Sequence, residues 1–172
     1  MGAGMDTRCY WDQALKGANL FIEVDAAPVF AIKNKTLEEI KAKSELPEPI
    51  VERKTVSIDF SKESTKDLPN HGFNPEVATS WLLEGLVMYL EKDAVDKVYN
   101  EISELSAPGS FIILNFTNTA EHHKNDFAQE ILEAKGWKME SKCIFGDPEF
   151  NYGRYPEGKP ANPMCGFAFY KK

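Results

Sequence analysis

The sequence predicts an α/β fold, a doubly wound and mostly parallel sheet closed by an antiparallel hairpin of the last two strands. Short β-branched or apolar runs alternate with helix-length amphipathic stretches, the layout of successive βαβ units. A glycine turn, Gly2-Ala3-Gly4, opens the chain, and the strand-like Phe21-Ile22-Glu23-Val24-Asp25 follows about twenty residues later. Three successive predicted strands end on an acid: Asp25, Asp59 and Glu84.

Gly2 and Gly4 lack a Cβ, so the backbone there bends tightly and comes close to a ligand. A helix over Met5–Leu15 would aim its free amides and positive dipole end at the same place. After Asp25, Pro28 suits the first turn of a helix over roughly residues 27 to 43. Its apolar stripe is Val29, Ile32, Leu37 and Ile40. Thr55 to Phe60 alternates and is β-branched, a strand ending in an acid. Residues 61 to 78 are polar and contain Pro69, Asn70, Gly72 and Pro75, which predicts a long loop with one helical turn.

Thr79 to Leu83 is the next strand, with Glu84 at its carboxyl end. Glu91 to Ser106 carries the clearest helical pattern, Val95, Val98, Tyr99, Ile102 and Leu105 lining one face. Glu91, Asp93 and Asp96 favour its N-terminal end, and Pro108-Gly109 stops it. Phe111 to Phe116 is an apolar run of the kind buried on both faces of a parallel sheet. Asn118 to Asn125 is a polar loop. Phe127, Ile131 and Leu132 mark a last helix that closes at Gly136. Trp137 to Ile144 and Cys165 to Tyr170 form the hairpin, joined by a connection rich in proline, glycine and aromatics.

The 172 residues suit a single domain with a real core, and a 42% hydrophobic content argues against disorder. A net charge of −7 without a basic cluster disfavours nucleic acid. Cys9, Cys143 and Cys165 are scattered, without metal spacing, and read as free thiols of a reducing, cytoplasmic compartment. No apolar run approaches the ~20 residues of a membrane span. In a doubly wound sheet, ligands sit beyond the carboxyl ends of the strands. That places the three acids at one rim, beside the glycine turn. Taken singly, Asp25 and Asp59 also fit helix N-caps.

Gly2-Ala3-Gly4-Met5-Asp6-Thr7-Arg8, then Glu23-Val24-Asp25, then Trp81-Leu82-Leu83-Glu84-Gly85-Leu86-Val87-Met88-Tyr89-Leu90, resembles the leucine carboxyl methyltransferase family. Within it, the likeness is to the bacterial-type branch of S-adenosylmethionine-dependent O-methyltransferases. The resemblance implies a Rossmann-like methyltransferase sheet and S-adenosyl-L-methionine as cofactor. Its cofactor contacts correspond to Gly2, Gly4 and Asp6 of the turn, Asp25, Asp59 with Phe60, and Glu84. The chemistry agrees. Asp25 offers two oxygens to a ribose diol, with Glu23 as the fallback. Asp59 accepts from the adenine amino group while the Phe60 amide donates to a ring nitrogen, and Glu84 faces a sulfonium and its ammonium group.

The methyl acceptor implied is a carboxylate or hydroxyl of a small molecule or peptide terminus. An acceptor carboxylate needs no base, so no catalytic residue is assigned. Tyr89 falls on the acceptor side by resemblance, with a packed core tyrosine as its plain alternative. His122, beside His123, is a candidate base or an exposed loop residue, and Arg154 of Tyr152-Gly153-Arg154 belongs to a substrate-side loop. Family members carry a helical segment and a central strand before the glycine turn, where this chain has one residue. The expectation is therefore a domain incomplete at its N-terminus, its first central strand missing: either a truncated product, or a chain whose oligomer or other partner supplies the strand. A catalytically silent fragment acting as a binding module is the alternative. A nicotinamide-dependent oxidoreductase is disfavoured, because Thr7 stands at the third glycine position.

Overall fold

A computed structural model describes residues 1–117, 128–153 and 162–172. In chain order the strands are β1 (Phe21–Asp25), β2 (Arg53–Ser57), β3 (Ser80–Leu83), β4 (Phe111–Thr117), β5 (Lys138–Phe145) and β6 (Asn162–Lys171). The helices are α1 (Ala27–Ala42), α2 (Lys92–Glu104) and α3 (Ala128–Ala134). β1 and β2 form a two-stranded parallel sheet. The other four strands form a second sheet in the order β3-β4-β6-β5, with β3 parallel to β4 and β6 antiparallel to both of its neighbours. The expected α/β class and C-terminal antiparallel hairpin are present.

The main core lies between the larger sheet and α2. Val95, Val98, Tyr99 and Ile102 of α2 are each no more than 1% exposed, in one cluster with Trp81, Leu83, Ile112 and Leu114. Full burial of such side chains stabilises by about 1.5–3 kcal/mol apiece. Two buried indole N–H groups are matched: Trp81 Nε1 donates to Ser106 Oγ at 2.8 Å and Trp137 Nε1 to Ser103 Oγ at 2.9 Å. The long loop before β3 contains one 3-10 segment, Thr65–His71, closed by left-handed Gly72. It is tied to α2 by the Glu101 carboxylate, which accepts from Ser64 Oγ at 2.6 Å and from Thr65 N and Oγ1 at 2.7 Å each.

Two expectations need correction. The stretch Met5–Leu15 is not an α-helix; it makes two 3-10 turns, Arg8–Tyr10 and Gln13–Leu15. Side chains compete with the helix here: Asp6 Oδ1 accepts from Arg8 N at 2.9 Å and Asp12 Oδ1 from Ala14 N at 2.9 Å. With no helix behind the glycine turn, no macrodipole acts there. The second strand ends at Ser57 rather than Phe60. Asp59 instead closes a turn, its Oδ1 accepting from Ser61 N at 3.1 Å.

Candidate functional site

The glycine turn sits between the carboxyl ends of β1 and β3. The Met1 amine donates to Leu82 O at 3.0 Å and Ala3 N to Val24 O at 3.1 Å. Gly2 has φ +66° and Gly4 φ +46°, a region that side chains other than glycine's enter only with strain. A Cβ on Gly2 would press Leu86 Cβ at 3.1 Å, whereas a Cβ on Gly4 would meet nothing within 4 Å. The turn is therefore packed on the Leu86 side and open at Gly4.

Asp25 shapes this turn directly. Its Oδ2 accepts from Gly4 N at 2.7 Å, and its Oδ1 accepts from Ala26 N at 2.7 Å. One bond per oxygen leaves lone pairs for further donors. On the other side, Arg8 bridges two acids, with Nε 2.6 Å from Asp6 Oδ2 and Nη2 2.6 Å from Glu84 Oε2. Hydrogen bonds to Asp6 and Glu84 raise the pKa of the Arg8 guanidinium against the opposing pull of burial. Gly2, Gly4, Asp6, Arg8 and Glu84 line one cavity of about 790 Å³ that continues down between β1 and β3.

The other expected residues fall differently. Asp25 touches the turn through Gly4 but is not itself in the lining of this cavity, and Asp59 and Phe60 stand past the end of β2, also outside that lining. The Asp59 carboxyl is held down to about 2 by hydrogen bonds from Lys62 and Ser61, and Phe60 is buried in the core. Asp59 thus makes the local, cap-like bonds of its alternative reading. Glu23, the fallback for the diol, is already saturated. Arg53 donates to it at 3.0 and 2.7 Å, and buried Lys33 Nζ lies 2.8 Å from Oε2. Beside this cluster, burial raises the pKa of the Cys9 thiol. Tyr89 is 73% exposed on the turn Val87–Tyr89, so it is not a core tyrosine. His122, His123 and Arg154 lie outside the described residues.

Sequence reasoning missed Arg8 as a member of the site. Its position two residues after Asp6 is the one local signal in the sequence; its pairing with Glu84 is a tertiary contact. Among the described residues, no three His, Cys, Asp or Glu side chains cluster to hold a metal, and no helix is long and apolar enough to cross a membrane.

The fold and the glycine turn facing an acid-ended strand define a methyltransferase-type α/β domain. A precorrin-6Y C5,15-methyltransferase from Geobacter metallireducens shares that fold, with a TM-score of 0.58 at 16% identity over 100% of this chain and 77% of the other. LepI, solved in complex with SAM, superposes with a TM-score of 0.57 at 12% identity, over 100% of this chain and 42% of its own. A leucine carboxyl methyltransferase family model matches residues 1–103. A Mycolicibacterium smegmatis protein, named by inference as an S-adenosyl-L-methionine-dependent methyltransferase, is 31% identical over 169 residues, covering 82% of this chain. The chain belongs to the leucine carboxyl methyltransferase family. It spans about half the length of the curated relatives it matches, 54% of that protein and 50% of a second from Mycobacterium.

Proposed function

We propose that this chain carries the cofactor-binding half of an S-adenosyl-L-methionine-dependent O-methyltransferase whose acceptor is a carboxylate or hydroxyl. The observation that carries the reading is the Gly4 amide held by Asp25 at 2.7 Å, with an open flank at Gly4 over the cavity. A glycine there leaves room for a ligand that a side chain would displace. Relatives named as methyltransferases support the same cofactor for this chain.

Bound at the turn, the sulfonium supplies an activated methyl group. The chain's own task is then to bind and orient. Asp25 accepts ribose hydroxyls with its remaining lone pairs while keeping the turn closed. Glu84, paired with Arg8, presents negative charge to the cationic centre, and Asp6 keeps Arg8 in reach when Glu84 changes partner. Asp59 and the Phe60 amide take the adenine edge one strand further out. Tyr89, exposed beyond Glu84, stands on the acceptor side. An acceptor carboxylate needs only alignment and exclusion of water, so this reading requires no general base.

A second reading is a chain that binds cofactor without transferring a methyl group. That β1 and β3 pair with no further strand among the described residues favours it. Calorimetric titration with S-adenosyl-L-methionine and its demethylated product, alongside a radiolabelled methyl-transfer assay on small carboxylates, tests both. Binding with transfer supports the first reading, binding without transfer the second, and no binding removes both.

A further inference from the structure

Among the described residues, Arg8 is the one cationic side chain in the lining of the cavity beside the glycine turn. It stands between two acids, its Nε 2.6 Å from Asp6 Oδ2 and its Nη2 2.6 Å from Glu84 Oε2. Asp6 holds the residue twice, since its Oδ1 also accepts from the Arg8 amide at 2.9 Å. Nη1 bonds to nothing among the described residues, so part of the guanidinium fork is unspent. Cations elsewhere in the same half of the molecule are committed, Lys33 and Arg53 to Glu23 and Lys62 to Asp59.

The two anchors of Arg8 differ in kind. Asp6 belongs to the same turn, whereas Glu84 arrives from the end of β3, 76 positions away. The Glu84 side chain is 45% exposed against 25% for Asp6. Solvent weakens an exposed pair, so the Glu84 arm opens to a ligand more readily than the Asp6 arm. An α-amino acid carries the same two charges in reverse. Its ammonium nitrogen and nearer carboxylate oxygen lie about 3 Å apart by covalent geometry, close to the span of one hydrogen-bonded ion pair. Inserted at this pair, the ammonium meets Glu84 and the carboxylate meets the released guanidinium. One ion pair is exchanged for two, and neither side chain is left without a counter-charge.

We propose that Arg8 binds the α-carboxylate of the methyl donor's amino-acid end, with Glu84 taking its ammonium and Asp6 fixing the arginine in both states. The ion pair of Arg8 and Glu84 then holds the place of the ligand's own zwitterion. This deepens the reading of the turn as a methyl-donor site and rests on it. What it adds is a specificity: a nucleoside whose side arm lacks the carboxylate enters the same cleft but forms one pair fewer. The planar fork of arginine meets a carboxylate with two parallel bonds, a geometry lysine does not reproduce.

The test is calorimetric titration of the wild-type chain, Arg8→Met and Arg8→Lys with three ligands. These are the demethylated cofactor, the same molecule with its carboxylate converted to the neutral amide, and 5′-methylthioadenosine, which has the nucleoside without the amino-acid end. In the wild type the amide should bind about tenfold more weakly than the acid. That preference should vanish in Arg8→Met and be intermediate in Arg8→Lys, while both variants keep the wild-type affinity for 5′-methylthioadenosine. Equal wild-type affinities for acid and amide would overturn the proposal. So would a preference that survives Arg8→Met, or a loss of all three ligands alike in both variants. In each of those cases wild-type binding of 5′-methylthioadenosine leaves the nucleoside site standing. A wild-type chain that binds none of the three overturns both.

Discussion

The Gly4 amide and the Asp25 carboxylate lie 2.7 Å apart, joining a turn at the start of the chain to the end of β1. Gly4 is thus constrained twice, by its φ of +46° and by the open space beside it. Gly4→Ala should cost about 1–3 kcal/mol through backbone strain. Its cofactor affinity should fall further than that strain explains, because the new methyl occupies the open flank. Urea unfolding and calorimetry on the same variant separate the two effects.

Arg8 and Glu84 form an ion pair that a cationic ligand, bound as proposed, would share. Glu84→Gln removes the anion, so it should weaken binding of the sulfonium cofactor more than binding of its uncharged demethylated product. A charge pair at about 4 Å is worth roughly 1–4 kcal/mol at a solvated rim. Arg8→Met removes the competing cation and should shift the ratio of the two affinities the opposite way. Paired titrations read this ratio directly, and variants that leave it unchanged would take Glu84 out of the site.

Glu101 holds the long loop through Ser64 and Thr65. Burial alone would raise the pKa of this carboxyl, but those hydrogen bonds outweigh burial and lower it. A folded-state pKa below the unfolded one contributes stability that is present at neutral pH and lost as pH falls through the folded value. Glu101→Gln should therefore cost about 1–3 kcal/mol at pH 7. Its deficit against wild type should shrink below the ordinary carboxyl range in urea unfolding at stepped pH.

The buried cluster of Glu23, Lys33 and Arg53 gives a non-additive pattern. Lys33 is fully buried 2.8 Å from Glu23, so Glu23→Gln leaves a buried ammonium without its counter-ion, whereas after Lys33→Met Glu23 keeps its two bonds from Arg53. Glu23→Gln should cost about 3–5 kcal/mol, Lys33→Met less, and the double variant less than their sum. Thermal unfolding of the four proteins measures the coupling.

Much of the scaffold was legible from periodicity. The pattern over Glu91 to Ser106 locates α2, and the apolar run from Phe111 locates β4, because burial on one face or two leaves a plain 3.6-residue or continuous signature. What periodicity does not encode is competition from short polar side chains. Asp6 and Asp12 capture nearby amides and break the expected helix, and Asp59 captures Ser61 and ends β2 early. Gly4 and Asp25 stand out in the sequence as candidate site residues, by the glycine turn and by resemblance. Their direct hydrogen bond was not, since it depends on a tertiary contact 21 positions apart. Arg8 was hidden for the same reason: its partner Glu84 is 76 positions away.

The most direct measurement is calorimetric titration of the wild-type chain and Asp25→Ala with the demethylated cofactor. Loss of the acceptor for both Gly4 and the ribose should weaken binding at least about tenfold, each 1.4 kcal/mol being a factor of ten. Equal affinities for the two proteins, or no affinity in the wild type, would contradict a nucleoside site built on Gly4 and Asp25.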